Sequence, residues 1–216
     1  MAEPSGPDHS FETVDSETIH VGKIFALRGD EVRMPGGRTA RREIVEHYGA
    51  VGIAALDDND QLVLVYQYRH PVGRRLWELP AGLLDISGEE PQLSAARELA
   101  EETGLAADSW SVLTDIVAAP GFSDEGVRIY LATGLREIDR PEAHDEEADM
   151  VIERRPLAEA VQMVLAGEIV NSLAVAGILA AWVVRQGFAE PRPLDAEWVD
   201  RPTRFAARQA ERGHDA

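Results

Sequence analysis

The sequence predicts an α+β fold in which a mixed β-sheet lies between helices, with a small antiparallel sheet ahead of it. Three observations predict it. Short β-prone pieces separated by turn residues fill the stretch from Phe11 to about Tyr48. Apolar runs of strand length follow at 49–56, 61–68, 109–117 and 127–133. Segments of helical spacing at 91–103, 156–166 and 171–186 are set between or after those runs. Helices on both sides of a mixed sheet make an α/β/α sandwich.

Taken in order, Thr18–Val21, Glu31–Met34 and Arg41–Val45 are β-prone, and Gly29-Asp30 and Pro35-Gly36-Gly37 supply turns between them. A sheet of two or three strands is marginal alone and must pack on its own chain or on a partner subunit. The runs at 49–56 and 61–68 flank Asp57-Asp58-Asn59-Asp60 and read as a β-hairpin in a core sheet. The Asp cluster lacks the twelve-residue loop and closing glutamate of a calcium site. Pro80 limits the strand that Trp77 begins. After the helix at 91–103, strands at 109–117 and 127–133 are followed by an acidic loop at 142–149 and a short strand at 150–153. Pro156 opens one further helix, and Asn171 caps another that Gly187 ends. The tail from Glu190, with its charged end from Arg204, is expected to be partly ordered, and residues 1–10 to be disordered.

The chain has 216 residues, 44 % of them hydrophobic, enough for one well-packed domain with an appendage. Thirty-nine acidic against twenty-one basic residues give a formal charge of −18, which repels a nucleic-acid backbone. An anionic substrate meets the same repulsion and needs a divalent cation and placed arginines. With no cysteine there is no disulfide framework, zinc-thiolate site or cysteine nucleophile, and a reducing cytoplasm is compatible. The N-terminus lacks signal-peptide character, and the longest apolar run, 173–184, falls short of the roughly 20 residues a membrane span needs.

The chemistry is densest between Gly82 and Leu105. Pro91–Thr103 suits a helix, with Glu89 and Glu90 near its positive end and Gly104 as a left-handed stop. At about 100° per residue, Leu93, Ala96, Leu99, Ala100 and Thr103 fall on one side and Glu98, Glu101 and Glu102 on the other. Like charges three and four apart cost roughly 0.2–0.5 kcal/mol per pair, and a hard cation reverses that cost. An acidic helix face is usually just solvated. Here a glycine-containing loop precedes it and Arg97 stands directly before the first carboxylate. Closely spaced carboxylates suit Mg²⁺ or Mn²⁺, which complete their shells with water and phosphate oxygens.

Glu89, seven intervening residues, then Arg97-Glu98-Leu99-Ala100-Glu101-Glu102-Thr103-Gly104-Leu105 resembles the Nudix box, the signature of Nudix hydrolases. The stretch from Gly82 to Glu89 is one residue longer than the family pattern usually has, so either Gly82 or Gly88 takes the glycine's part. The α/β/α sandwich is the architecture of a Nudix fold. The resemblance implies a small N-terminal β-sheet domain at 11–47, a Nudix catalytic domain at 48–200 and a charged tail at 201–216.

Gln67-Tyr68-Arg69, Trp77-Glu78-Leu79-Pro80-Ala81-Gly82 and Pro120 resemble the ADP-ribose pyrophosphatase branch, and the run Ala119–Glu125 its actinobacterial members. That resemblance implies a homodimer whose N-terminal sheets exchange, with Arg41 and Glu43 reaching the substrate from the second subunit. Arg69 and Glu125 would bind it from the first, and Phe122 would line the pocket. A guanidinium matches diphosphate oxygens bidentately, although solvation is the ordinary state of a surface arginine such as Arg41. Glu98, Glu101, Glu102 and the Ala81 carbonyl would hold two or three Mg²⁺ or Mn²⁺ ions, lowering the pKa of a water that attacks one phosphorus. Glu147, also a metal ligand by that resemblance, would be the general base, with Glu146 the adjacent alternative and His144 a weaker candidate. Glu89 and Arg97 would orient the helix carboxylates. The expected products from ADP-ribose are AMP and ribose 5-phosphate. The competing expectations are a Nudix hydrolase of another nucleoside diphosphate derivative and a non-catalytic protein that binds ADP-ribose or metal.

Overall fold

The computed structural model describes residues 10–140 and 149–214. The disorder expected before Ser10 and the acidic loop carrying His144, Glu146 and Glu147 lie outside the described residues. The chain runs β1 (Glu12–Val21), β2 (Phe25–Arg33), β3 (Thr39–His47), β4 (Ala50–Ala55), β5 (Gln61–Arg69), β6 (Arg74–Glu78), β7 (Ala81–Leu83), α1 (Pro91–Thr103), β8 (Leu105–Val117), β9 (Gly126–Glu137), β10 (Val151–Pro156), α2 (Leu157–Leu165), α3 (Ser172–Arg185) and α4 (Arg204–His214). It divides into two compact units. One comprises Met1–Tyr48, Ala119–Glu125 and Pro202–Ala216, and the other Gly49–Ala118 and Gly126–Arg201.

The larger unit holds a mixed sheet of order β7-β4-β9-β8, in which β4 and β9 run parallel, and an antiparallel sheet of order β10-β5-β6. Alternate residues of its strands feed two cores. Ala50, Ala54, Leu62, Leu64, Ile129 and Leu131 pack with Ala174, Ile178 and Ala181 of α3, whereas Val51, Ile53, Val63, Tyr130 and Ala132 pack with Ala95 and Leu99 of α1. The period of two along a strand puts these sets on opposite faces, which makes the α/β/α sandwich. Behind the sheet, Arg128 donates to both carboxylate oxygens of Asp115 and to the carbonyls of Ala196 and Glu197, and stacks over Trp198, so the segment after α3 is pinned to β8 and β9.

The hairpin expected from 49–56 and 61–68 is corrected. The turn forms, with the Asp57 side chain accepting from the Asn59 and Gln61 N–H groups, but β4 and β5 belong to different sheets and meet at the isolated bridge Leu56–Leu62. Both strands are buried on both faces, so turn chemistry does not choose their partners. A parallel neighbour distant in sequence, β9, takes β4 instead.

In the smaller unit β1, β2 and β3 form an antiparallel sheet. The expected turn at Gly29-Asp30 is also corrected, because both residues lie inside β2 and the chain reverses at Gly22, whose N–H donates to the Phe25 carbonyl. Gly29 is bare because the Arg41 guanidinium crosses its Cα, where a Cβ would overlap it. Asp30 is buried and accepts from Arg28 and Ser16. The tail expected to be partly ordered ends in α4, whose buried Phe205 meets Tyr48 edge-on at 4.6 Å and whose Arg208 donates to Glu46 at 2.8 Å. Phe205 and Arg208 are three apart and share one helix face, a period too brief to register in a run of charges. The segment 119–125 adds to β3 through Val45 N–H to the Phe122 carbonyl at 2.7 Å and Asp124 N–H to the Val45 carbonyl at 3.2 Å.

Candidate active site

The carboxylate helix α1 begins at Pro91, follows an extended Glu90, and stops at Gly104, which takes φ 68°. Its packing face is not the expected one. The buried residues are Pro91, Ser94, Ala95, Leu99 and Glu102, while Leu93 is 57 % exposed. Ala95, Glu98 and Glu102 are spaced for one face, so Glu98 and Glu102 turn inward toward β7 instead of standing opposite the core.

Two backbone features of β7 receive them. Glu102 accepts from the Ala81 N–H at 3.1 Å. Glu98 lies flat against Gly82, where any Cβ would overlap its carboxylate. Gly88, by contrast, has open space around it and a φ of 80°, as a turn requires. The close approach to α1 therefore belongs to Gly82.

Arg97 ties the acidic groups together. Its Nε and Nη2 donate to the two oxygens of Glu89 at 3.1 Å each, and its Nη1 donates to Glu98 at 2.8 Å and Glu101 at 2.9 Å. These bonds hold the Glu89 carboxyl below the usual range, and Glu89 foremost raises the Arg97 guanidinium further. Burial pushes the Glu98 carboxyl up, Arg97 opposes that, and the charges of Glu101 and Asp85 add to it. Among the described residues no three acidic or histidine side chains stand together as a ready ligand set. In this arrangement Glu102 is drawn to the Ala81 N–H while Arg97 holds the other two.

A family model for the NUDIX domain matches residues 39–171. The chain belongs to the NUDIX domain family. It is 67 % identical over 205 residues to the ADP-ribose pyrophosphatase of Mycobacterium tuberculosis, covering 95 % of this chain and 99 % of the relative. It is 36 % identical over 161 residues to the ADP-ribose pyrophosphatase of Bacillus subtilis, covering 74 % and 86 %. The methanol dehydrogenase activator of Bacillus methanolicus is also 36 % identical, over 167 residues, covering 77 % and 90 %. The crystal structure of an ADP compounds hydrolase superposes with a TM-score of 0.67 at 23 % identity, covering 87 % of this chain and 100 % of that one, and so shares the Nudix fold.

Of the other residues singled out in the sequence, Arg69 lies in the larger unit with α1. Its Nε and Nη2 donate to the two oxygens of Glu78 at 3.0 and 2.7 Å. Glu78 is 1 % exposed and also accepts from Gln67 at 3.4 Å. The sequence reading missed Glu78 as the group that aims Arg69. Strand spacing gave no signal for it, since Arg69 faces Arg74 and Glu78 faces Val65, four residues farther from the β5–β6 turn. Arg41, Glu43, Phe122 and Glu125 all belong to the smaller unit. There Arg41 pairs with Glu17 and lies 3.7 Å from Glu31, Phe122 is exposed, and Glu125 lies 3.8 Å from His47 Nδ1. The contact with His47, and the 2.9 Å bond from its N–H to Asp124, carried no sequence signal because the partners are so far apart in the chain. Glu147 and Glu146 lie outside the described residues. No helix of the described residues is long and apolar enough to cross a membrane.

Proposed function

We propose that this Nudix protein hydrolyses the diphosphate bond of ADP-ribose to AMP and ribose 5-phosphate, using Mg²⁺ or Mn²⁺ held on α1. The observation that carries this reading is the seat of Glu98. Its carboxylate is packed on a bare glycine, raised toward its neutral form by burial, and set beside the charges of Glu101 and Asp85. Negative charge concentrated among oxygen donors on successive helix turns is what a hard divalent cation relieves, so the residues fit that group. The near full-length likeness to an ADP-ribose pyrophosphatase supports the substrate.

Glu98, Glu101, Glu102 and the Ala81 carbonyl, with Glu147, would hold the divalent ion, which when bound would neutralise charge on the diphosphate and make water more acidic. Glu89 fixes the Arg97 guanidinium, and one nitrogen of that guanidinium bridges the Glu98 and Glu101 carboxylates. Glu78 aims Arg69 for a phosphate oxygen. Arg41 and Glu43, from the second subunit, and Phe122 and Glu125 complete the substrate contacts in this reading. Glu147, with Glu146 as its neighbour, takes the proton of the attacking water.

Residues 48–200 serve as the catalytic domain of this reading and 11–47 as the element exchanged in a homodimer. Support comes from β1, which is exposed along nearly all its length and carries Val14 and Ile19, with Phe11 beside it, open to solvent. The protein is taken to act in the cytoplasm without nucleic-acid or membrane partners. The variant Glu102→Gln tests the reading, because it keeps an acceptor for the Ala81 N–H while removing a ligand charge. Turnover should fall by about a hundredfold with the circular dichroism spectrum unchanged. Near-normal turnover would refute the assignment of α1 as the metal helix.

A further inference from the structure

The last turn of α1 poses an electrostatic problem. Glu101 and Glu102 sit at the negative end of the helix dipole, and the turn carries no basic residue of its own. A cation is supplied from outside. Arg140, beyond the end of β9, donates from Nε to the Glu101 carbonyl at 2.8 Å. Two neighbouring contacts fix its approach. The Ile138 N–H donates to the Gly104 carbonyl at 2.9 Å, and a Cβ on Gly104 would stand 3.2 Å from the Arg140 Cβ. Glycine at 104 therefore gives both the left-handed stop and the room for Arg140.

The charge of Arg140 is not spent elsewhere among the described residues. Glu137 and Glu153 line the cavity of about 350 Å³ beside it, with Thr103 and Arg154, yet neither forms an ion pair with it. Its Nη2 is buried and has no hydrogen-bond partner among the described residues. The guanidinium thus faces the carbonyl end of α1 with its charge available to that end.

We propose that Arg140 is a positioning residue for the metal-binding carboxylates: it anchors the last turn of α1 through the Glu101 carbonyl, and so sets where the Glu101 and Glu102 side chains stand. This rests on the reading of Glu98, Glu101 and Glu102 as metal ligands. Arg140 touches neither metal nor substrate in this account. Its effect passes through one turn of helix.

The test titrates Mn²⁺ into the full-length protein by calorimetry without substrate, for the parent, Arg140→Gln, Arg140→Lys and, as a reference, Glu98→Gln. Steady-state kinetics with ADP-ribose accompany it. Arg140→Gln is expected to weaken Mn²⁺ binding by about tenfold and lower kcat comparably, while KM at saturating metal stays within about twofold. Arg140→Lys, which keeps the charge, should recover most of the affinity. Unchanged binding in Glu98→Gln would refute the ligand reading itself. Loss in Glu98→Gln with parental binding in Arg140→Gln would overturn the role of Arg140 alone. Equal loss in Arg140→Lys and Arg140→Gln would also overturn it, by showing that packing and not charge is at work. Because the titration needs no substrate, failure of the parent to cleave ADP-ribose would reject the substrate and leave this question open to the same binding measurement.

Discussion

The carboxylate of Glu98 occupies the space in which a side chain at Gly82 would stand. A strand of three residues and a helix that starts eight residues later are joined at one point where only glycine fits. Gly82→Ala should therefore expel Glu98 while sparing the backbone, since Gly82 is not in the left-handed region. We expect turnover to fall by at least about tenfold, with a melting temperature lowered by only a few degrees. Gly88→Ala supplies the contrast. It strains a positive φ but meets nothing, so it should cost stability of about 1 kcal/mol and little activity. Equal kinetics for the two variants would contradict the assignment.

Arg69 and Glu78 give a second prediction. Arg69→Ala leaves the Glu78 carboxylate buried without its cation, which should cost about 3–5 kcal/mol in urea unfolding. Arg69→Lys keeps charge but loses the two-pronged bond. It should raise KM for ADP-ribose by about tenfold and leave kcat within about threefold, because only one phosphate contact is loosened. A KM equal to that of the parent would remove Arg69 from the substrate site.

The smaller unit should respond to acid in a defined direction. Burial raises the Glu46 carboxyl, but the bonds from Arg208 and Arg28 outweigh it and hold the group below its ordinary value of 4.5. A lowered folded pKa stabilises above the ordinary value and is lost as pH falls through the folded one. Hydrogen exchange in the β2 and β3 segments should therefore accelerate as pH drops below about 4.5, after correction for intrinsic rates. Glu46→Gln should flatten that dependence. An unchanged slope in the variant would exclude Glu46 as its source.

Much of this architecture is legible in the sequence. The span of α1 was readable from Pro91 and Gly104, because caps and breakers act within a few residues. Its packing face was not, since Glu102 is buried for the sake of the Ala81 N–H and counting apolar residues rotates the helix the wrong way. The pairing of β4 with β9 was likewise hidden, as both strands are buried on both faces along their paired residues and register comes from distant sequence. Gly29 misled in the opposite sense. A glycine beside an aspartate looks like a turn, and here it makes room for Arg41 inside a strand. The helix carboxylates could be named from spacing, whereas Glu78, which holds Arg69, and Arg140, which meets the Glu101 carbonyl, depend on contacts across the fold.

The most direct test of the central claim is hydrolysis of ADP-ribose with and without Mg²⁺, alongside ADP-glucose, GDP-mannose and NADH, with nucleotide products separated by chromatography. The account predicts AMP formation that requires the metal and is greatest from ADP-ribose. Metal-independent hydrolysis, or none with any of the four compounds, would contradict it.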